Sequence, residues 1–478
     1  MNGHCVSKAL VVLGASMLLQ LIRTPLCCAA GPVRHVHGSL NSSLRTDQSR
    51  SKGQPHPNVS TPETGNSRAP EVYHEPDNDR SIGRDGILRT DKKNNFVSAL
   101  LPPTAFEHHA SQLLVHSRSS EHGQGGWELL CAWFSGVEGR GTVSLMVSRL
   151  GSNSSSWSPP ELAAIVPGRS LQNPTWLWDD KMDRILLMYT SQRGTNQATS
   201  SVHAVESSDG GRNWSDHRVL FTERGAFLKN VPVRSHDGSS WLLPMYHTPK
   251  GAGHMPSQWS ALRTTSDGGQ TWSGETNMAA RGTGLVQPSV VRLTGPSGEE
   301  PSLRLAAFFR SRQMDNVWRS ESHDDGATWS APSRTPLPNC NKAVQALRLR
   351  SGALAIVFNN NRGESVRVKP RAALFVDSKM HPLSIGLSYD DGITWPYVRD
   401  LEPDFDNRLE YSYPSIVQTE DGEIHVTYTW SKGRRRVAIR YVRFDEEWIK
   451  GTWDWGATRG VYHPPSLQGG TEARRRSA

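Results

Sequence analysis

The feature that most constrains this chain is an eight-residue turn that occurs four times. SSDGGRNW runs from Ser207 to Trp214, TSDGGQTW from Thr265 to Trp272, SHDDGATW from Ser322 to Trp329, and SYDDGITW from Ser388 to Trp395. The closing tryptophans are spaced by 58, 57 and 66 residues. One period earlier lies Trp157, in SRLGSNSSSW, where the turn has lost its aspartate. One period later lies Trp448, in VRFDEEW. Six units result, and a period of this length marks a stacked or radial repeat.

Inside each unit the apolar residues come in short runs rich in β-branched and aromatic side chains. WELLCAWF, RILLMYTS, WLLPMYHT, LRLAAFFR, LAIVFNN and IHVTYTW are one set. Runs such as PSVVRL and PSIVQT open the units, and LSIGLS precedes a turn. Such runs predict strands. No helical period of useful length accompanies them. With a closing strand after each turn, the count is four strands per unit. The expected fold is all-β: a six-bladed β-propeller of four-stranded blades.

The turn has a structural role on this reading. Asp209, Asp267, Asp324 and Asp390 can each accept backbone N–H bonds inside a tight loop. The glycine two residues later supplies a positive φ, and the tryptophan closes the loop against its blade. Loops between outer strands lie far from a central channel, so none of the four aspartates is a catalytic candidate.

The pattern S/T-x-D-x-G-x-T/N-W at blade spacing resembles the Asp-box of the sialidase superfamily, over roughly residues 96 to 460. The stretch EYSYPSIVQTEDGEIHVTYTW is similar to a divergent, microbial branch of that group. The resemblance implies a tyrosine nucleophile, a glutamate that activates it, an acidic general acid, and three arginines that grip a substrate carboxylate. A tyrosine departs from the carboxylate nucleophile of most glycosidases. It suits a sugar whose anomeric carbon already bears a negative group.

A propeller presents its ligand site where the innermost strands converge. HHASQLL, QNPTWLW, KNVPVRS, VQPSVVR, NCNKAVQ and YSYPSIV line up there, and each offers a polar residue: His109, Asn173, Asn230, Gln287, Asn341 and Tyr413. Tyr413 matches the expected nucleophile. Arg310 in LAAFFRSR matches a clamp arginine, with Arg312 beside it, and Glu138 in WFSGVEGRG falls where the general acid is expected. Asn173, Asn230 and Asn341 are expected to contact substrate.

The departures are specific. Gln287 stands where the activating glutamate belongs, and an amide is no base. His109 stands at the place of the first arginine, where it is expected to bind an anion when protonated or to serve as the base. The third arginine has no clear counterpart; His381 and Lys379 are nearest, with Arg362 and Arg371 further back. Three readings therefore stay open: a hydrolase for terminal acidic sugars of exo-sialidase type, a glycan-binding propeller without catalysis, and a lyase acting beside a uronic carboxylate.

The rest of the chain bounds the setting. Lys8 precedes the apolar run ALVVLGASMLLQLI and the small residues Cys28-Ala29-Ala30, so residues 1–30 read as a secretory signal peptide. Residues 31–95 read as a disordered linker or stalk, 96–460 as the propeller, and 461–478 as a basic tail. Secretion as a monomer with no membrane span in the mature chain is expected. The sequons at Asn41, Asn58, Asn153 and Asn213 are candidate glycan acceptors. Outside the signal only Cys131 and Cys340 remain, which supports neither a disulfide scaffold nor a zinc site. No metal or cofactor is expected. The formal charge of +8 is concentrated partly in the tail and in KGRRR, Lys432 to Arg436, a run read as a solvated cluster. No basic stripe interleaved with aromatics points to nucleic acid. A glycan or acidic sugar is the expected partner, which a basic protein attracts by long-range steering.

Overall fold

The structure is a computed structural model that describes residues 83–92, 95–117, 126–251, 253–294, 302–362, 380–402, 409–433 and 435–451. The expected signal peptide, most of the expected linker, the basic tail, Arg371, Lys379 and the sequons at Asn41 and Asn58 lie outside these residues. The strands form six antiparallel sheets in chain order. Blade 1 is His108–Ser117, Trp127–Ser135, Ser144–Gly151 and Glu161–Ile165. Blades 2, 4 and 5 repeat the four-strand meander, starting at Ser170, Leu285 and Gln345. In blade 3 two short segments, Ala226–Phe227 and Val233–Arg234, both pair with Trp241–His247. The six apolar runs quoted first above fall on the second strand of each blade.

The sixth blade explains closure. Its first three strands are Leu409–Gln418, Ile424–Lys432 and Arg435–Phe444, and its fourth is Phe96–Leu100 from the other end of the described chain. Arg89–Asp91 adds an edge strand beyond it. Apolar burial follows the same ring. Six large clusters each sit between adjacent blades, for example Leu130, Leu187 and Tyr189 between blades 1 and 2, and Ala355, Val426 and Tyr428 between blades 5 and 6. Burial of apolar surface between blades is what holds such a ring shut.

All four turns lie between the third and fourth strands of their blades. In blade 2 the Asp209 carboxylate accepts from the Ser207 hydroxyl at 2.7 Å, from the Asn213 backbone N–H at 2.9 Å and from its side-chain amide at 2.6 Å. These bonds hold Asp209 well below the usual carboxylate range, against a desolvation that pushes the other way. The turn also docks on the preceding blade. Gly392 has a φ of +85°, and a Cβ there would lie 2.6 Å from the Phe308 ring. Only glycine fits both demands.

Two expectations are corrected. Trp448 closes no sixth turn; it lies on the short helix Glu446–Lys450, stacked on Phe444 with ring centroids 4.5 Å apart. The chain has no fourth strand to return to there, because the N-terminal strand already occupies that place. The folded domain also begins before residue 96. Around Trp157, where the aspartate is missing, Gly86 and Leu88 supply backbone bonds to Trp157 and Ser155 at 2.9 and 2.8 Å.

Candidate active site

The inner strands share one local irregularity. Register slips between His109 and Gln112, Gln172 and Thr175, Val286 and Ser289, and Ser412 and Ser415. At these places Ala110, Asn173, Gln287 and Tyr413 adopt φ values of 56°, 47°, 53° and 54°, and Asn341, ahead of the blade 5 inner strand and without a register slip, has 59°. A side-chain-bearing residue in the left-handed region costs about 1–2 kcal/mol. Bulges of this kind re-aim side chains near sites. In blade 1 the left-handed residue is Ala110, so His109 stands one residue ahead of the position inferred for it. Asn230 is not in the left-handed set.

The strands converge on a cavity of about 440 Å³ whose wall includes Tyr413, His109, Glu138, Arg310 and Arg312. Tyr413 is its focus. Its phenolic oxygen lies 3.0 Å from Arg310 Nη1 and 3.2 Å from Gln287 Nε2. The orientation of the Gln287 amide follows from chemistry. Arg310 can only donate, and its Nη1 meets Gln287 Oε1 at 2.9 Å, so the NH₂ end must face the tyrosines. The Tyr413 oxygen is therefore met by two donors. Burial pushes the Tyr413 phenol up, but Arg310 and the Gln287 amide outweigh it, and the net direction is downward. Tyr246 shares the same amide at 3.3 Å and is pushed up by its own burial and by Tyr413. Two tyrosines on one amide are thus separated into an ionisable group and a neutral one.

Asn341 accepts from Arg310 Nε at 2.8 Å and so fixes the guanidinium. His109 packs on the Tyr413 ring, with centroids 4.3 Å apart, and its Nδ1 lies 2.8 Å from the Thr429 hydroxyl. Burial keeps it well below the ordinary histidine range, and Arg436, Lys342, Lys229 and Arg310 add to the effect. That shift disfavours a protonated anion clamp and favours the neutral imidazole, which can act as acceptor or base. Glu138 accepts from Arg436 at 2.6 Å.

The structure does not bring every expected residue to the cavity. Asn230 Nδ2 donates to the backbone carbonyls of Gln287, Pro288 and Val344 at 3.1, 3.0 and 3.2 Å, which ties inner strands together. Asn173 is buried and does not line the cavity. His381 is buried and Arg362 exposed; neither lines the wall.

Other lining residues were not singled out by sequence. Lys342, Glu410, Tyr246 and Arg436 all face the cavity. Arg436 belongs to the run read as a solvated cluster; that reading is corrected, since it reaches inward to Glu138. Lys342 follows Asn341 directly, a signal that was available. Arg310, Arg312, Lys342 and Arg436 stand against the carboxylates of Glu138 and Glu410, so the wall is cationic on balance. Such a wall favours an anionic ligand. The described residues hold no group of three or more metal-ligating side chains and no helix long and apolar enough to cross a membrane.

Comparison with known proteins agrees with the fold. Residues 127–426, more than half of the chain, match the BNR repeat-like domain. No curated protein matches the chain in sequence. Among solved structures, a Hadza microbial sialidase superposes with a TM-score of 0.54 at 16% identity, covering 72% of this chain and 67% of that one. The intramolecular trans-sialidase from Ruminococcus gnavus gives 0.54 at 13% identity, covering 73% of this chain and 96% of that one. A protein of unknown function from Dyadobacter fermentans gives 0.54 at 16% identity, covering 75% and 99%. At these identities the likeness is one of fold. The chain belongs to the BNR repeat-like domain family, as a divergent sialidase-like six-bladed propeller.

Proposed function

We propose that this protein is a glycoside hydrolase that removes a terminal acidic sugar from glycans, with Tyr413 as its nucleophile. One observation carries the proposal: the Tyr413 oxygen faces a cationic cavity and accepts from two groups that can only donate to it, Arg310 and the NH₂ of Gln287. A base beside the phenol is then dispensable, because the phenolate itself is stabilised. The loss of the activating glutamate changes how the nucleophile is prepared and leaves the nucleophile in place.

In the first step the Tyr413 oxygen bonds to the anomeric carbon while the bond to the departing sugar oxygen breaks. Glu138 is the carboxyl group that can pass a proton to that oxygen, once substrate replaces Arg436 as its partner. In the second step water displaces Tyr413, and the neutral His109 can take the water proton. Arg310 and Arg312 hold the carboxylate of the sugar. The test is release of free sugar from a pool of sialylated and uronate-terminated glycans by wild type and Tyr413→Phe. Release by wild type that is lost in the variant supports the proposal; no release by wild type overturns it.

A second reading is favoured by the 4.3 Å contact between His109 and Tyr413. A neutral imidazole beside a tyrosine can remove the proton next to a uronic carboxylate, which expels the 4-linked oxygen and leaves a carbon–carbon double bond. Its product absorbs in the ultraviolet, and a hydrolytic product does not. We further propose that residues 1–30 direct export and that the mature chain acts as a monomer. N-terminal sequencing of secreted protein and light scattering test these two statements.

A further inference from the structure

Two carboxylates compete for one guanidinium at the edge of the cavity. Arg436 Nη1 lies 2.6 Å from Glu138 Oε2 and 4.0 Å from Glu107 Oε2. Both glutamates hang from the same end of blade 1. The Gly136 N–H donates to the Glu107 carbonyl at 2.8 Å, just beyond the pairing of His108 with Ser135, and Glu138 follows two residues later. Arg436 reaches across from the third strand of blade 6, with its guanidinium 6.0 Å from the centroid of the Phe134 ring. Glu138 and Arg436 line the cavity, and Glu107 does not.

The two carboxylates are unequally served. Glu138 holds the short, charge-assisted bond. Among the described residues the Glu107 carboxylate takes no hydrogen bond, and its one ion pair is the 4.0 Å approach of Arg436. Burial pushes Glu107 up from the ordinary carboxylate value, Arg436 opposes this without cancelling it, and Glu138 adds to it. Glu107 is therefore short of counter-charge, just out of bonding reach of a cation that its neighbour holds.

We infer that Glu107 is the second seat of Arg436: it takes over the guanidinium when substrate meets Glu138, and so releases Glu138 to carry a proton. The inference rests on the reading of Glu138 as the acid of the proposed reaction. Glu107 touches no substrate and is a positioning residue. With Arg436 on Glu107, Glu138 binds a proton from solvent and passes it to the departing sugar oxygen as the glycosidic bond breaks. The carboxylate left behind draws Arg436 back. Other titratable groups surround the trio. Arg436 pushes His109 of blade 1 down, and Glu138 pushes Tyr413 of blade 6 up. Neither offers Arg436 a substitute seat: the imidazole carries no negative oxygen, and the Tyr413 oxygen is taken by Arg310 and Gln287. Glu410 of blade 6 is the other acid of the wall.

The experiment compares two leaving groups on whichever acidic sugar is released: the glycan, whose departing oxygen needs a proton, and the 4-nitrophenyl glycoside, whose departing oxygen does not. General acid catalysis is worth about 10²–10⁴-fold, so Glu138→Gln should lose about that on the glycan and little on the aryl glycoside. Glu107→Gln leaves Arg436 on Glu138 and should lose about tenfold or more on the glycan, again with little change on the aryl glycoside. A merely structural role would lower both rates. In an Arg436→Met background Glu107→Gln should have no further effect. Equal losses on both substrates, or none, in a folded Glu107→Gln variant overturn the inference while Glu138 keeps its role. Equal losses on both in Glu138→Gln overturn the reading of Glu138 and the inference with it, so the two failures are distinguishable. A crystal structure of Glu138→Gln tests the second seat without turnover. With the competing charge gone, Arg436 should bond Glu107 at about 2.7–2.9 Å. An Arg436 that stays outside bonding distance of Glu107 in that variant overturns the inference.

Discussion

Replacing Gln287 with glutamate changes one atom type at the centre of the site and should reverse the state of Tyr413. In the native arrangement the amide donates to Tyr413 at 3.2 Å and accepts from Arg310 at 2.9 Å. A carboxylate would keep the bond from Arg310 but would accept from the tyrosine, so Tyr413 must become the donor. Two contributions act on the phenol. Loss of a neutral hydrogen bond to the phenolate is worth about 0.5–1.5 kcal/mol. A like charge at hydrogen-bond distance adds roughly one to three pH units, partly offset because Arg310 now serves both anions. Since one unit is about 1.4 kcal/mol, the sum is an upward shift of about two units. The assay is the tyrosinate absorbance titration, read by difference against Tyr413→Phe in both backgrounds. The pH–rate profile supplies a second readout. Wild-type activity should rise with pH as Tyr413 ionises; the Gln287→Glu variant should reach its plateau at lower pH, because the new carboxylate serves as base. A Tyr413 titration that stays put or moves down in Gln287→Glu would refute the reasoning about which groups donate.

Other outcomes follow from the same contacts. Asn341→Ala removes the acceptor that fixes Arg310 Nε at 2.8 Å; a loss of about 1.4 kcal/mol of positioning predicts a roughly tenfold fall in kcat/KM, measured with the cleaved glycan. Gly392→Ala should destabilise the domain by about 2–4 kcal/mol in denaturant unfolding, combining a left-handed backbone with a Cβ at 2.6 Å from the Phe308 ring. Acid should weaken the fold early. Burial depresses His108 and His203 from 6.5 to about 4, so each binds its proton more readily when unfolded. Their stability contribution is full above about 6.5 and is lost as pH falls toward 4, which midpoints of chemical unfolding across that window will show.

The fold was legible because its signal is repeated. Asp209, Asp267, Asp324 and Asp390 each close an equivalent turn, and a run such as RILLMYTS is legible as a strand without reference to distant residues. Trp448 was misread because periodicity carries no information about where a ring closes. Only the pairing of Phe96–Leu100 with Arg435–Phe444 shows that the sixth blade borrows its last strand. The site was legible in part. Tyr413, Gln287 and Asn341 share a backbone irregularity that follows from their shared place in the repeat. Asn230 occupies the equivalent stretch, yet its amide is spent on backbone carbonyls, a role that composition cannot distinguish from ligand binding. Arg436 was hidden in a basic run whose members point to different sides. Arg435 lies over the Phe106 ring at 3.8 Å while Arg436 pairs with Glu138.

The central claim is that Tyr413 forms a bond to the sugar. The most direct measurement is mass spectrometry of enzyme quenched in acid during turnover of whichever glycan is cleaved. The account predicts that the peptide containing Tyr413 gains the mass of one acidic sugar residue, and that Tyr413→Phe shows neither adduct nor release. Turnover that persists with Tyr413 unmodified and replaceable would contradict it.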